Sequence, residues 1–239
     1  MHALVKLIGD VSGRTTVGWT QGDIFGLRGS EMARPLMRFE SARIGRYTRR
    51  ADGAWVYNYR GVIAYKALDS DRFIDSLVNP YTNESVAVKH YATSIGSYAY
   101  TRVGVEPSAA FKGERGEEMG KPFRLPWTIV GDDVWVTTDE RVRYRRPSDG
   151  EYRVDNAINR YAGKLSELQD PALTSAACTS SWQTELNWFS WLGMGAQPGM
   201  IMQGGAGRKF AGVAQLPAAL VEFVEHKFPG TLTAGLDRP

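Results

Sequence analysis

The run from Trp55 to Tyr65 restricts the fold more than any other stretch of the chain. In WVYNYRGVIAY, Trp55, Tyr57, Tyr59, Ile63 and Tyr65 fall on one parity and Val56, Asn58, Arg60 and Val62 on the other. Side chains alternate across a strand, so this pattern specifies an extended segment with an aromatic face. Asp52-Gly53 lies between Tyr47 and Trp55, and that dipeptide between strand-like residues signals a hairpin. Gly61 could host a bulge that swaps the two faces, which leaves open whether Arg60 and Tyr65 share one side.

The segments around it extend the same architecture. Asn79-Pro80 fits the Asx and proline chemistry of a tight turn, and Val86, Val88 and His90 after it lie on one face of an expected strand. Thr15, Val17, Trp19 and Gln21 share a parity, so one or two strands are expected in the first thirty residues. Between Glu31 and Arg50 the apolar residues are too irregular to choose a period. VEPSAAFKGERGEEMGKPFRLP reads as a long loop that could act as a lid, and WTIVGDDVWVTTDERVRYRRP as two or three strands. Val154, Ile158, Tyr161, Leu165 and Leu168 recur at helical spacing and predict a helix on a sheet. Leu216, Leu220, Val221 and Val224 predict a C-terminal helix over about 217–227, with Pro217 at its start. No repeat or interdomain linker interrupts the chain, so residues 1–239 are expected to form one β-barrel-like domain.

Composition narrows the function classes. A net charge of +3, with both signs interleaved, gives no field that would imply nucleic acid. The cluster Arg141, Arg143 and Arg145 has the strand spacing of a solvated face. A single cysteine, Cys178, excludes an internal disulfide framework and a thiolate metal cluster. No apolar run is long enough for a membrane helix and no targeting signal is evident, so a cytoplasmic protein without membrane association is expected. GGAGRK at Gly204–Lys209 lacks Walker spacing, no GxGxxG follows a strand, and no HExxH or GxSxG occurs. No cofactor and no metal are therefore expected. Edge strands and exposed aromatics are compatible with a homodimer.

Candidate chemistry rests on one imidazole and a group of indoles. His90 is the only histidine in an interior run, since His2 is terminal and His226 ends a helix. Its ring can move protons near neutral pH, and a satisfied core histidine is the competing reading. Trp182, Trp188 and Trp191 in SSWQTELNWFSWLGMG could wall a flat, apolar ligand or pack as a sheet cluster. Glu185 beside them could act as an acid or base if its apolar neighbours raise its pKa.

GDVSGRTTVGWTQGDIFGL, YRGVIAY, NPYTNESVAVKH and SWLGMGAQPG together resemble the domain-of-unknown-function family DUF1838 of bacteria and fungi, over about Leu4 to Pro229. The most specific pieces are Asn79, Pro80, Thr82, Val86, Val88, His90, Trp188, Trp191, Met194 and Gly195. The resemblance implies a mainly β, antiparallel architecture, a lipocalin-like barrel or strongly bent sheet with a few peripheral helices. It also suggests a small hydrophobic, aromatic or polyketide-like compound as substrate. The expected function is a cofactor-independent lyase or isomerase, of decarboxylation or retro-aldol type, working by proton transfer. In that scheme His90 is the base or acid, Arg60 stabilises an anion, Tyr65 or Tyr100 orients a phenol, and Trp19, Trp188 and Trp191 form walls. The alternative is a non-catalytic binding protein for a hydrophobic metabolite.

Overall fold

The computed structural model describes residues 1–93, 96–101, 104–107, 118–119, 125–145 and 152–236. In chain order it contains helix α1 (His2–Ile8) and strands β1 (Thr16–Leu27), β2 (Arg34–Arg49) and β3 (Trp55–Lys66). The short strands β4 (Ser76–Val78), β5 (Ser85–Ala87), β6 (Tyr91–Ala92), β7 (Gly96–Tyr100), β8 (Val105–Pro107) and β9 (Glu118–Met119) follow. Then come β10 (Trp127–Val130), β11 (Asp133–Arg145), β12 (Tyr152–Lys164), α2 (Leu165–Gln169), β13 (Thr179–Leu186), β14 (Met200–Phe210) and α3 (Ala218–Lys227). The segment read as a lid falls largely outside the described residues.

A 12-stranded antiparallel sheet runs in the order β10-β11-β12-β13-β14-β1-β2-β3-β7-β8, with β6 on β3 and β9 on β11. Its end strands β10 and β8 are not paired with each other among the described residues, so the sheet is open and the expected barrel does not close. It is nonetheless strongly bent. Tyr161 of β12 and Tyr100 of β7 pack against one cluster, although β13, β14, β1, β2 and β3 lie between their strands in the sheet. Tyr100 of β7 and Trp127 of β10 pack against one cluster with Leu4 and Leu7 of α1. The bend needs close strands: a Cβ on Gly207 would lie 1.8 Å from the carbonyl oxygen of Trp19 on β1, a distance only glycine avoids.

Alternation assigns side chains to the two faces. Val17, Ala42, Ile44, Val62 and Ala64 point outward and bury Leu216, Leu220 and Val224, so α3 covers the outer face of β1–β3. Each such aliphatic side chain contributes about 1.5–3 kcal/mol when fully buried. On the inner face, α1 lies across one end, with Leu4, Val5 and Leu7 fully buried. The segment around Ser190–Leu192 covers the other end, with Leu192 and Met194 against Phe39, Tyr65 and Ile201. Because β2 is covered on both faces, it buries Leu36, Met37, Phe39, Glu40, Ala42, Ile44, Gly45 and Tyr47 with little regard to parity. This is why its sequence shows no clean period.

Leu4 to Ile8 form α1, and the one or two strands expected in the first thirty residues are the single strand β1. Three expectations change. The helix expected over Val154–Leu168 is instead β12 followed by the short α2, with unbroken pairing to β11 and β13. Ile158 and Tyr161 lie on opposite faces of that strand, so their helical spacing is a sum over two surfaces. Gly61 sits in regular register opposite Arg43, without a bulge. The strand expected to carry His90 ends at Ala87. The hairpin at Asp52-Gly53 and the helix after Pro217 form as expected.

Candidate functional site

Regular pairing along β3 settles which side each candidate occupies. Tyr65 faces inward and is 4% exposed, while Arg60 faces outward and donates to the carbonyl of Gly235 in the C-terminal segment. Trp19 also faces outward, where its indole N–H donates to Glu40 Oε1 at 2.7 Å and Lys66 Nζ lies 2.6 Å from Glu40 Oε2 as an ion pair. Glu185, one residue out of phase with Thr184 and Leu186, is on the outer side of β13. Tyr100 lies at the α1 end, with its ring 5.8 Å from that of Tyr47. Thus Arg60, Trp19, Glu185 and Tyr100 do not converge with His90.

His90, Tyr65, Trp188 and Trp191 do gather at the other end, in a packed assembly. The His90 side chain is 1% exposed, and its Nδ1 accepts the Tyr65 backbone N–H at 3.0 Å. Its ring meets Phe223 edge-on at 4.7 Å between centroids and lies 5.8 Å from Tyr65. Burial lowers the pKa of His90, Lys227 adds to this, and Asp75, 3.9 Å from Nε2, opposes it. The imidazole is therefore neutral and carries its proton on Nε2, its basic nitrogen already spent on backbone. Trp191 stacks on Phe189 at 5.3 Å and lies 5.7 Å from Tyr65, while the Trp188 indole donates to the carbonyl of Gln197. Asn79, fully buried, ties the assembly together: its amide donates to the Leu192 carbonyl at 2.6 Å and accepts the Tyr81 N–H at 2.9 Å.

The middle of the inner face differs. Arg43 points inward from β2 and is exposed on the concave face of the sheet, beside Tyr57, Tyr59 and Tyr98. With Gly18 also exposed and Thr20, Ser41 and Ile63 only half-buried, the middle of the concave face is open between its two covered ends. Its guanidinium carbon lies 4.9 Å from the Tyr59 ring centre. Burial disfavours its charge, but the surrounding phenols more than offset this and its pKa is raised. No hydrogen bond or ion pair engages it among the described residues.

The tyrosines form a ladder built by the hairpin register. Tyr47 stacks on Tyr57 at 4.4 Å, Tyr57 on Tyr59 at 5.2 Å, and Tyr59 on Tyr98 at 5.6 Å, with the Tyr59 hydroxyl donating to that of Tyr98 at 3.3 Å. The Tyr57 ring lies over Gly45, where a Cβ would come within 2.2 Å of it. Burial pushes the Tyr57 phenol up to about 12, with Arg43 pulling the other way, so it is a hydrogen-bond donor at neutral pH. Next to Arg43 the floor is Gly18, exposed and without a side chain, and the hydroxyl pair Thr20–Ser41 at 2.6 Å. Half-buried Ile63 flanks this pair, and Phe39 and Trp182, 5.4 Å apart, stand beyond it. In the same row as Gly18, Lys209 uses its ammonium on the carbonyls of Lys6 and Gly9 and on Ser175 Oγ, at 3.1, 2.7 and 2.8 Å.

Arg43, Tyr57, Tyr59 and Tyr98 were not among the residues selected from the sequence. The available signal was the hairpin itself: folding the chain about Asp52-Gly53 sets Tyr47 opposite Tyr57 and Arg43 opposite Gly61. Among the described residues no group of three or more His, Cys, Asp or Glu could hold a metal ion, and no helix is long and apolar enough to cross a membrane. Comparison with curated proteins gives no match. A family model, described as a protein of unknown function, DUF1838, matches residues 13–235, nearly the whole chain but not α1. The motifs packed around Asn79 and Trp191 lie within that match, and the chain belongs to the DUF1838 family.

Proposed function

We propose that this protein binds a small organic molecule in the central hollow of its bent sheet. The observation that carries this reading is Arg43, a permanently charged side chain on the open middle of the concave face, without a counter-ion among the described residues. A guanidinium that faces open space with its donors unused offers an anion two parallel hydrogen bonds. Beside it Gly18 is exposed and carries no side chain, and Thr20 and Ser41 are only half-buried, so this part of the concave face is accessible to a ligand.

The proton-transfer enzyme expected from the sequence would need its base in this hollow. His90 lies outside it with Nδ1 bonded to backbone, and Tyr57 is held protonated. The binding reading therefore leads. The test is Gly18→Leu, which puts an isobutyl group into open space on a strand that tolerates it. With 8-anilinonaphthalene-1-sulfonate as the probe, the native protein is expected to show saturable one-to-one fluorescence enhancement. Gly18→Leu should weaken it at least tenfold at an unchanged melting temperature. Non-saturable binding, or binding indifferent to Gly18→Leu, overturns the proposal.

A further inference from the structure

We infer that the ligand is a flat aromatic monocarboxylate whose carboxylate sits between the Arg43 guanidinium and the Tyr57 hydroxyl; this rests on the hollow being a binding site. The charge argument comes first. Arg43 offers one positive charge, and the neighbouring cation in its row, Lys209, is fully engaged with the carbonyls of Lys6 and Gly9 and with Ser175. One guanidinium balances one negative charge, whereas a phosphate dianion would leave one charge without a partner. The planar fork of arginine also matches a carboxylate through two parallel hydrogen bonds.

Tyr57 supplies the second donor. Its pKa, pushed up to about 12, keeps the proton on oxygen, and the two groups are neighbours through Tyr59, whose ring centre lies 4.9 Å from the Arg43 guanidinium carbon and 5.2 Å from the stacked Tyr57 ring. No described residue engages this hydroxyl. Tyr59 and Tyr98, by contrast, share a hydrogen bond with each other.

The shape argument follows from the strand. From Arg43 the inner face of β2 continues through Ser41 to Phe39, about 13 Å at the usual rise per residue. Thr20 and Ser41 satisfy each other's hydroxyls at 2.6 Å, so this stretch offers contact area rather than unmet polar groups. Ile63 flanks it, and Phe39 with Trp182 closes it. A two-ring aromatic body fits that path, with its faces on apolar side chains and its acid at the arginine.

The experiment is competition against bound 8-anilinonaphthalene-1-sulfonate by 2-naphthoate, by its neutral isostere 2-naphthamide and by 2-naphthyl phosphate. For the native protein, 2-naphthoate is expected to compete at least tenfold better than the amide and severalfold better than the phosphate. Arg43→Met should abolish the preference over the amide, Arg43→Lys should restore only part of it, and Tyr57→Phe should lower 2-naphthoate affinity a few-fold. If Arg43→Met removes the probe's own site, direct titration with 2-naphthoate and 2-naphthamide reads the same preference. If the amide competes as well as the acid, if Arg43→Met keeps the preference, or if no naphthalene compound competes, this assignment is overturned. The proposed binding function survives all three provided Gly18→Leu still blocks the probe. Loss of that block overturns the binding function itself.

Discussion

The two regions of the inner face solve opposite problems. At the end near Ser190–Leu192, Asn79, His90, Trp188 and Trp191 each meet a backbone or ring partner that fixes the chain, while His90 Nε2 and the Tyr81 hydroxyl are buried without a hydrogen bond among the described residues. In the middle, Arg43 and the Tyr57 hydroxyl face a hollow with their bonding capacity unused among the described residues. The first region contains the conspicuous sequence words and the second contains almost none. Linear motifs here mark where the chain must be pinned, and the candidate site lies where pinning leaves off.

The largest effect that could break this contrast is on Asn79. Asn79→Ala leaves the Leu192 carbonyl and the Tyr81 N–H without their partner in a fully buried place, and each such loss costs about 1–3 kcal/mol. A destabilisation of about 3 kcal/mol is expected in urea unfolding, with no change in probe affinity once the variant is folded. A cost below about 1 kcal/mol would show that the packed end is not held by this side chain.

His90 comes next. His90→Leu removes the acceptor of the Tyr65 N–H, at a cost of about 1–2 kcal/mol, and His90→Gln should recover part of it. The pH dependence has a definite sign. Burial, then Lys227, lowers the folded pKa below the ordinary histidine value of about 6.5, so the unfolded chain takes up the proton first as pH falls. The stability contribution of native His90 is therefore present above about pH 6.5 and is lost as pH drops from there toward the folded pKa. Unfolding midpoints at pH 7 and pH 5 should show the advantage of the native protein over His90→Leu shrinking. An advantage that stays constant or grows on acidification rejects a buried, neutral imidazole.

How much of this was legible in the sequence depends on the range of the physics involved. The Asp52-Gly53 hairpin and the helix after Pro217 follow from local turn and capping chemistry, and both are present. The helical spacing of Val154 to Leu168 misled because β12 presents apolar residues to both faces and runs directly into α2. Arg60 attracted a role through its place beside Gly61, but the unbroken register turns it outward to Gly235. Arg43 was invisible for a different reason. Its significance is the absence of a partner, which depends on what β3, β7 and β12 bring around it, and no local window contains that information.

The smallest expected effect is the sharpest test of the comparison. Replacing Arg43 with methionine removes a guanidinium whose contact with the Tyr59 ring, 4.9 Å away, contributes about 0.5–1 kcal/mol. The same change places an apolar side chain where an exposed charge stood beside the tyrosine rings, which adds apolar contact and works in the opposite direction. The methionine side chain keeps most of the aliphatic contact. The two contributions should nearly cancel, leaving the stability of the unliganded protein within about 1 kcal/mol of the native value. Asn79→Ala would then destabilise without touching the hollow, and Arg43→Met would alter the hollow without destabilising. A loss of 2 kcal/mol or more for Arg43→Met would mean that the guanidinium holds the tyrosine ladder together, and the middle of the sheet would then be pinned in the same way as its end.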